Sequence, residues 1–109
     1  MLSDNKLAPL RKGLLEFLVL KICSARSVYS ADILRRLAET EFATQEGTLY
    51  PLLSRLRREG LLAYEWQESD TGPPRKYYQL TDSGREQVSA LDHYWDRLNH
   101  TIANLGHCE

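Results

Sequence analysis

Leu10, Leu14, Phe17, Leu18 and Ile22 recur at helical spacing, and Leu15, Val19 and Cys23 form a second apolar stripe beside them. Pro9, whose missing amide donor is harmless in a first turn, predicts a helix running from Leu10 to Ser24. A helix that is apolar on two faces needs two neighbours, and its own domain supplies only one of them. After a polar break over residues 25–28, Ser30 is a natural N-cap for a second helix, with Asp32 in the first turn to complement the helix dipole. In that helix Ile33, Leu34 and Leu37 face inward, and Arg35 and Arg36 face outward. A short connection over residues 41–43 leads to a third stripe, Leu49, Leu52, Leu53 and Leu56. This third helix starts either at Thr48, with Pro51 in the first turn, or near Gln45, in which case a bend should follow the proline. Two helices joined by a tight turn, the second presented outward, make a helix-turn-helix.

The period then changes to two. Leu62, Tyr64 and Trp66 alternate with Ala63 and Glu65 in a strand over residues 61–67, residues 68–74 form a turn cluster with two prolines, and residues 76–80 make a second aromatic strand. Thr81 caps a last helix with Asp82 in its first turn. Along it Val88, Leu91, Trp95, Leu98, Ile102 and Leu105 are spaced alternately three and four residues apart, the a/d seam of a helix that pairs with another helix. The helix from Asp82 to Leu105 would span roughly 36 Å at about 1.5 Å per residue, too long for so small a domain to cover. Burying Trp95 removes roughly 150–250 Å² from water, or about 4–6 kcal/mol that a monomer leaves unclaimed. The seam therefore predicts a homodimer. The flanking positions Gln87, Asp92, Tyr94, Asn99 and Thr101 lack the paired charges of a parallel zipper, so the helix should pack on the partner's first and last helices, around Leu15 and Val19.

The third helix carries the chemistry. Opposite its leucines stand Gln45, Thr48, Tyr50, Ser54, Arg55 and Arg58, a mixture of hydroxyl, amide, aromatic and guanidinium groups suited to base edges and phosphates in a nucleic-acid groove. An ordinary solvated helix face has a similar composition.

The order GTLYPLLSRLRREGLL over residues 47–62, followed by RKYYQLTDSGRE over residues 75–86, resembles the PadR family of winged-helix transcriptional regulators. The resemblance covers about residues 10–105. It implies a mainly α fold with a small β-hairpin: a winged helix-turn-helix over residues 1–81 and a C-terminal dimerisation helix over residues 82–109. It implies a homodimeric DNA-binding regulator of repressor type on an inverted-repeat operator, with Gln45 and Thr48 nearest the bases. Tyr50 and Arg55 would turn toward the phosphates, Ser54 would also belong to the DNA-binding face, and Arg75 and Lys76 of the wing would flank it. The dimer interface would comprise Leu15, Val19, Val88, Leu91, Trp95, Leu98, Ile102 and Leu105. Multidrug-responsive members of the family carry a Trp between dimer-related helices that stacks planar aromatic compounds, so Trp95 is either an effector contact or simply an interface filler. The chain departs from the family where Val28, Tyr29 and Ser30 stand in place of a His-Gly-Tyr-like run, and where a TGPP wing tip leaves Arg75 and Lys76 as its nearby cations.

The net charge of -1 is low for a DNA binder, but its distribution is uneven. Residues 1–60 hold ten Lys or Arg against seven Asp or Glu, whereas residues 82–109 hold two against five. Basic charge gathers with the helix-turn-helix and acidic charge with the last helix. Cys23 reads as a buried small residue, and Cys108 forms no C-x-x-C pair with it. His93, His100 and His107 repeat every seven residues, about 10.5 Å apart along a helix axis, beyond the roughly 2 Å reach of a shared zinc, so they read as solvated. No metal or cofactor is expected. There is no phosphate-cradling glycine loop, no H-E-x-x-H and no motif around the Ser, His or Cys residues, so the chain does not read as an enzyme. The absence of a long apolar run and the start MLSDNK exclude a membrane span and a signal peptide, and point to the cytoplasm. The rival reading from another class is a winged-helix adaptor that binds protein and never touches DNA.

Overall fold

The computed structural model describes residues 4–107; Met1–Ser3 and the pair Cys108 and Glu109 lie outside the described residues, and with them the reading of Cys108. Four helices and one antiparallel hairpin follow in the order α1 (Asp4–Ala25), α2 (Ser30–Ala38), α3 (Glu46–Arg58), β1 (Leu62–Ser69), β2 (Gly72–Leu80) and α4 (Asp82–Leu105). Val19, Leu20 and Cys23 of α1, Ile33 and Leu37 of α2, and Leu49, Leu53 and Leu56 of α3 meet Leu62, Tyr78 and Leu80 of the hairpin and Val88 of α4 in one core.

Helix α1 begins well before the expected start, and Pro9 lies inside it. The carbonyl of Asn5, four residues earlier, therefore has no helical amide to receive, a cost that solvent offsets because Asn5 is exposed. Both apolar stripes of α1 contribute to the core, whereas the expectation left the second to a partner: Leu18 and Ile22 of the first stripe pack against it as well. Val19 and Cys23 are buried within the protomer, and Leu15 packs against the same core. Toward the N-terminal end of the first stripe Leu10 is 55% exposed, and Leu14 and Phe17 are half-buried. Both stripes are greasy, so composition did not distinguish them; the packing of α2, α3 and β2 does.

The expected polar break contains a core residue. Val28 is buried and exchanges both backbone hydrogen bonds with Tyr78, its amide donating at 3.0 Å and its carbonyl accepting at 2.7 Å, which adds a single bridge to the hairpin edge. Ser30 is the first helical residue of α2 and not its cap: Tyr29 holds the cap position, and its amide donates to the Asp32 carboxylate at 3.4 Å.

For α3 the N-cap is Gln45, whose carbonyl accepts from the amides of Thr48 and Leu49 at 3.0 and 2.9 Å. Pro51 then stands beyond the first turn, and the carbonyl of Gly47 lacks its usual amide donor. The helix ends at Gly60, which has φ 79°. There the amides of Gly60 and Leu61 return to the carbonyls of Arg57 and Leu56, each at 3.0 Å, in the pattern of a Schellman motif.

The strands run further than their composition suggested. Asp70 and Thr71 alone form the turn, and Pro73 and Pro74 lie inside β2 near a register irregularity between Gln67 and Ser69. In a two-stranded sheet every strand is an edge, so prolines that cannot donate to the ladder are tolerated. Helix α4 has the expected bounds and cap: the Gly84 amide donates to Thr81 Oγ1 at 2.9 Å, while that hydroxyl donates to the Gly60 carbonyl at 2.5 Å. Lys21 of α1 pairs with Asp92 of α4 at 2.8 Å. Beyond that point α4 runs past the domain, and the molecule is 62 Å long but 33 Å and 21 Å across.

Candidate nucleic-acid interface

With about 100° between successive helical residues, the buried Leu49, Leu53 and Leu56 of α3 fix what its other faces do. Directly opposite lies a ridge of Gly47, Pro51, Ser54 and Arg58, all exposed. Tyr50, Arg57 and Glu46 fall on the flank toward the hairpin, and Thr48 and Arg55 on the flank toward α1. The sequence reading grouped Tyr50 with Arg55; the helix sets them on opposite sides. Gln45 is exposed and makes no side-chain cap bond, so its amide is not spent on the helix end.

The hairpin-side flank opens into a cleft of about 580 Å³ lined by Tyr29, Ser30, Glu46, Tyr50, Ser54, Arg75 and Lys76, with the buried Tyr78 also at its wall. Ser30 Oγ donates to Tyr50 Oη at 3.3 Å, which joins the start of α2 to α3. The guanidinium of Arg75 sits 4.6 Å over the Tyr29 ring. The Lys76 ammonium is 4.5 Å from the Tyr64 ring centre and 5.4 Å from that of Trp66, and Arg57 covers Tyr64 at 5.0 Å. Aromatic faces attract cations through their negative quadrupole, so the rings hold these side chains in place without neutralising them. Ser30 and Ala31, the first residues of α2, line the same cleft, and their amides have no acceptor within their own helix.

The α1-side flank opens into a second groove of about 690 Å³, lined by Lys12, Glu16, Thr48, Pro51, Arg55 and Arg58. Here Arg55 is engaged: its Nη2 lies 2.8 Å from Glu16 Oε2, and its Nη1 lies 3.9 Å from Glu59.

Tyr50, Ser54, Arg75 and Lys76 thus line the wing-side cleft, Thr48 and Arg55 line the groove on the α1 side, and Gln45 lies exposed at the N-cap of α3. Sequence reasoning missed Tyr29, Ser30 and Glu46 in the lining of the cleft, and the stacking of Arg57 on Tyr64. A tyrosine and a serine at a helix start were a usable signal for the first two, whereas the place of Arg57 depends on Tyr64 from a strand.

The profile of the transcriptional regulator PadR-like family matches residues 19–90, which takes in the helix-turn-helix, the hairpin and the start of α4. The chain belongs to this family. Solved PadR-like structures have the same fold. The PadR-like transcription factor of Bacteroides fragilis is 43% identical with a TM-score of 0.81, covering 94% of this chain and 99% of its own. The PadR-like regulator of Bacillus cereus is 37% identical with a TM-score of 0.79, over 90% and 96% of the two chains. A transcriptional regulator of Mycobacterium tuberculosis is 34% identical over 71 residues, 65% of each protein. This PadR-like chain is therefore a winged-helix transcriptional regulator, in a family of regulators and not of enzymes, and its hairpin is the wing. Among its described residues no helix is long and apolar enough to cross a membrane.

The seam of α4 divides along its length. Val88 is buried in the protomer core, as Val19 is, so neither offers surface to a partner, contrary to the expectation for both. Leu91 and Leu98 are half-buried, Trp95 is 38% exposed, Ile102 59% and Leu105 82%. His93 and His100 of α4 and His107 just beyond its end are exposed, and the His93 Nδ1 lies 2.8 Å from the Ser89 carbonyl oxygen.

Proposed function

We propose that this PadR-like regulator acts as a homodimeric repressor on an inverted-repeat DNA operator, with residues 1–81 as the DNA-binding unit and residues 82–109 as the dimerisation helix. The observation that carries the reading is the cleft between α3 and the wing. Two hydroxyls, Ser30 and Tyr50, two cations, Arg75 and Lys76, and the open amides of α2 converge there on a volume suited to a backbone phosphate. With a phosphate so held, the N-terminal part of α3 enters the major groove, Gln45, Thr48 and Ser54 reach base edges, and Arg58 and Lys12 border the opposite phosphate strand. Arg55 joins them when it exchanges Glu16 for phosphate.

Dimerisation uses the apolar surface that the protomer leaves open. The exposed Leu10 of α1 and Trp95, Ile102 and Leu105 of α4 supply it, with the half-buried Leu14, Phe17, Leu91 and Leu98 and the core-packed Leu15 completing the contact. Pairing about a two-fold axis sets two α3 helices about one DNA turn apart, roughly 34 Å, and makes the operator an inverted repeat. A planar aromatic effector that enters beside Trp95 would shift this spacing and relieve repression.

The test is fluorescence anisotropy with a labelled duplex from upstream of the protein's own gene, at several salt concentrations. Saturable binding, two chains per duplex and a linear fall of log K with log salt support the reading. Binding no tighter than to an unrelated duplex at every salt concentration overturns it.

A further inference from the structure

Glu46 is the one acidic side chain that lines the wing-side cleft among the described residues. It is the first residue of α3, exposed, and its carboxylate makes no ion pair among the described residues, although Arg75 and Lys76 line the same cleft. Those two cations are held over the rings of Tyr29, Tyr64 and Trp66 and do not turn to it. Next to it, Gly47 has no atom within 4 Å of where a Cβ would stand, so a ligand can approach the helix closely at that point.

A carboxylate repels phosphate and only accepts hydrogen bonds, so what it can receive from a DNA groove is a base donor. In the major groove the donors are the exocyclic amines of cytosine and adenine. On adenine the amine adjoins the N7 acceptor, which repels a second carboxylate oxygen; on cytosine it adjoins an apolar ring edge. We infer that Glu46 is a specificity-determining residue that accepts a hydrogen bond from the N4 amine of one cytosine in each operator half-site. The inference rests on the DNA-binding reading above and adds to it a base and the atom recognised. The cations and open amides of the cleft hold the neighbouring phosphate, and Glu46 keeps phosphate out of its own position and leaves it to a base edge.

Wild-type dimer, Glu46→Gln and Glu46→Ala are each used to select duplexes from a randomised pool, and affinities are then measured on half-sites carrying each base pair at the selected position. The expected result is a cytosine preference at one position in wild type, worth about 5- to 150-fold over other bases. Glu46→Ala should lose it, and Glu46→Gln should move it toward adenine, whose N6 and N7 suit a carboxamide. Thermal melts within a few degrees of wild type show that both variants are folded. If both variants bind every sequence more tightly by one common factor, with the ranking of bases unchanged, Glu46 only repels phosphate and the inference fails while DNA binding stands. If wild type selects no sequence at all, the DNA-binding reading fails and this inference with it.

Discussion

Arg55 Nη2 on α3 lies 2.8 Å from Glu16 Oε2 on α1, so the proposed reading helix is tied to the helix that carries the exposed Leu10. The pair is partly exposed and contributes little to stability, about 0–1 kcal/mol. Its effect should appear in DNA binding, because Glu16 competes with phosphate for the guanidinium. Glu16→Gln is expected to tighten operator binding and to steepen the salt dependence by about 0.9 per protomer, with Tm nearly unchanged. Arg55→Ala in the Glu16→Gln background should reverse both. A slope that does not move between these two proteins removes Arg55 from the phosphate contacts.

Tyr50 and Arg75 face the same cleft from two elements and should weaken DNA binding in different ways. Arg75→Ala removes a cation and should lower the salt slope by about 0.9 per protomer. Tyr50→Phe removes only the hydroxyl that accepts from Ser30, and should weaken binding by about tenfold or less with the slope intact. Titrations at four salt concentrations separate the two signatures.

Gly84 and Gly60 hold α4 against the end of α3, and their substitution should cost different amounts. A Cβ on Gly84 would meet the Leu61 carbonyl oxygen at 2.1 Å, a backbone atom that cannot swing away. Gly84→Ala should therefore destabilise the fold by about 2–3 kcal/mol or more. Gly60→Ala meets no atom within 4 Å and suffers only from its φ of 79°, about 1–2 kcal/mol. Denaturant melts that rank the two in the opposite order would contradict this packing.

The open face of α4 yields a prediction about assembly. Ile102→Asp, far along α4 and exposed, should convert the protein to a folded monomer in sedimentation at micromolar concentration and weaken operator binding by more than tenfold. Quenching of tryptophan fluorescence by a planar dye, lost in Trp95→Phe and kept in Trp66→Phe, is the expected sign of an effector site. Equal quenching in both variants would remove Trp95 from that role.

Burial pushes the Cys23 thiol up from 9.0 to about 12, so the reactive thiolate is scarce in the folded protein. In a Cys108→Ser background, alkylation at pH 8 should be slow until denaturant unfolds the chain. The unfolded thiol ionises near pH 9 and the folded one near 12, so the unfolded state holds fewer protons between them. The contribution of Cys23 to stability is complete below pH 9 and declines as pH rises through that window. Fast labelling of the native protein at pH 8 would contradict its burial.

Elements with a long, uninterrupted period were legible at once. Asp82 to Leu105 emerged with its cap and both ends because six seam residues report the phase of one helix many times over, and the leucine stripe of α3 did the same over a shorter length. Such a pattern tells which residues share a face, but it carries no record of which neighbour covers that face. On α1 two apolar stripes competed, and only packing against the rest of the domain put Val19 inside, with Leu18 and Ile22 of the other stripe against the same core, and left Leu10 outside. The site follows the same division: the hydroxyls and guanidiniums, and the separation of Tyr50 from Arg55 to opposite flanks, are contained in the residues and period of α3, whereas which flank faces the wing and which faces α1 needed the tertiary structure. The holding of Arg75 and Lys76 by rings from Tyr29, Tyr64 and Trp66 is a contact between elements far apart in the chain, and a linear pattern contains no distance across such a gap.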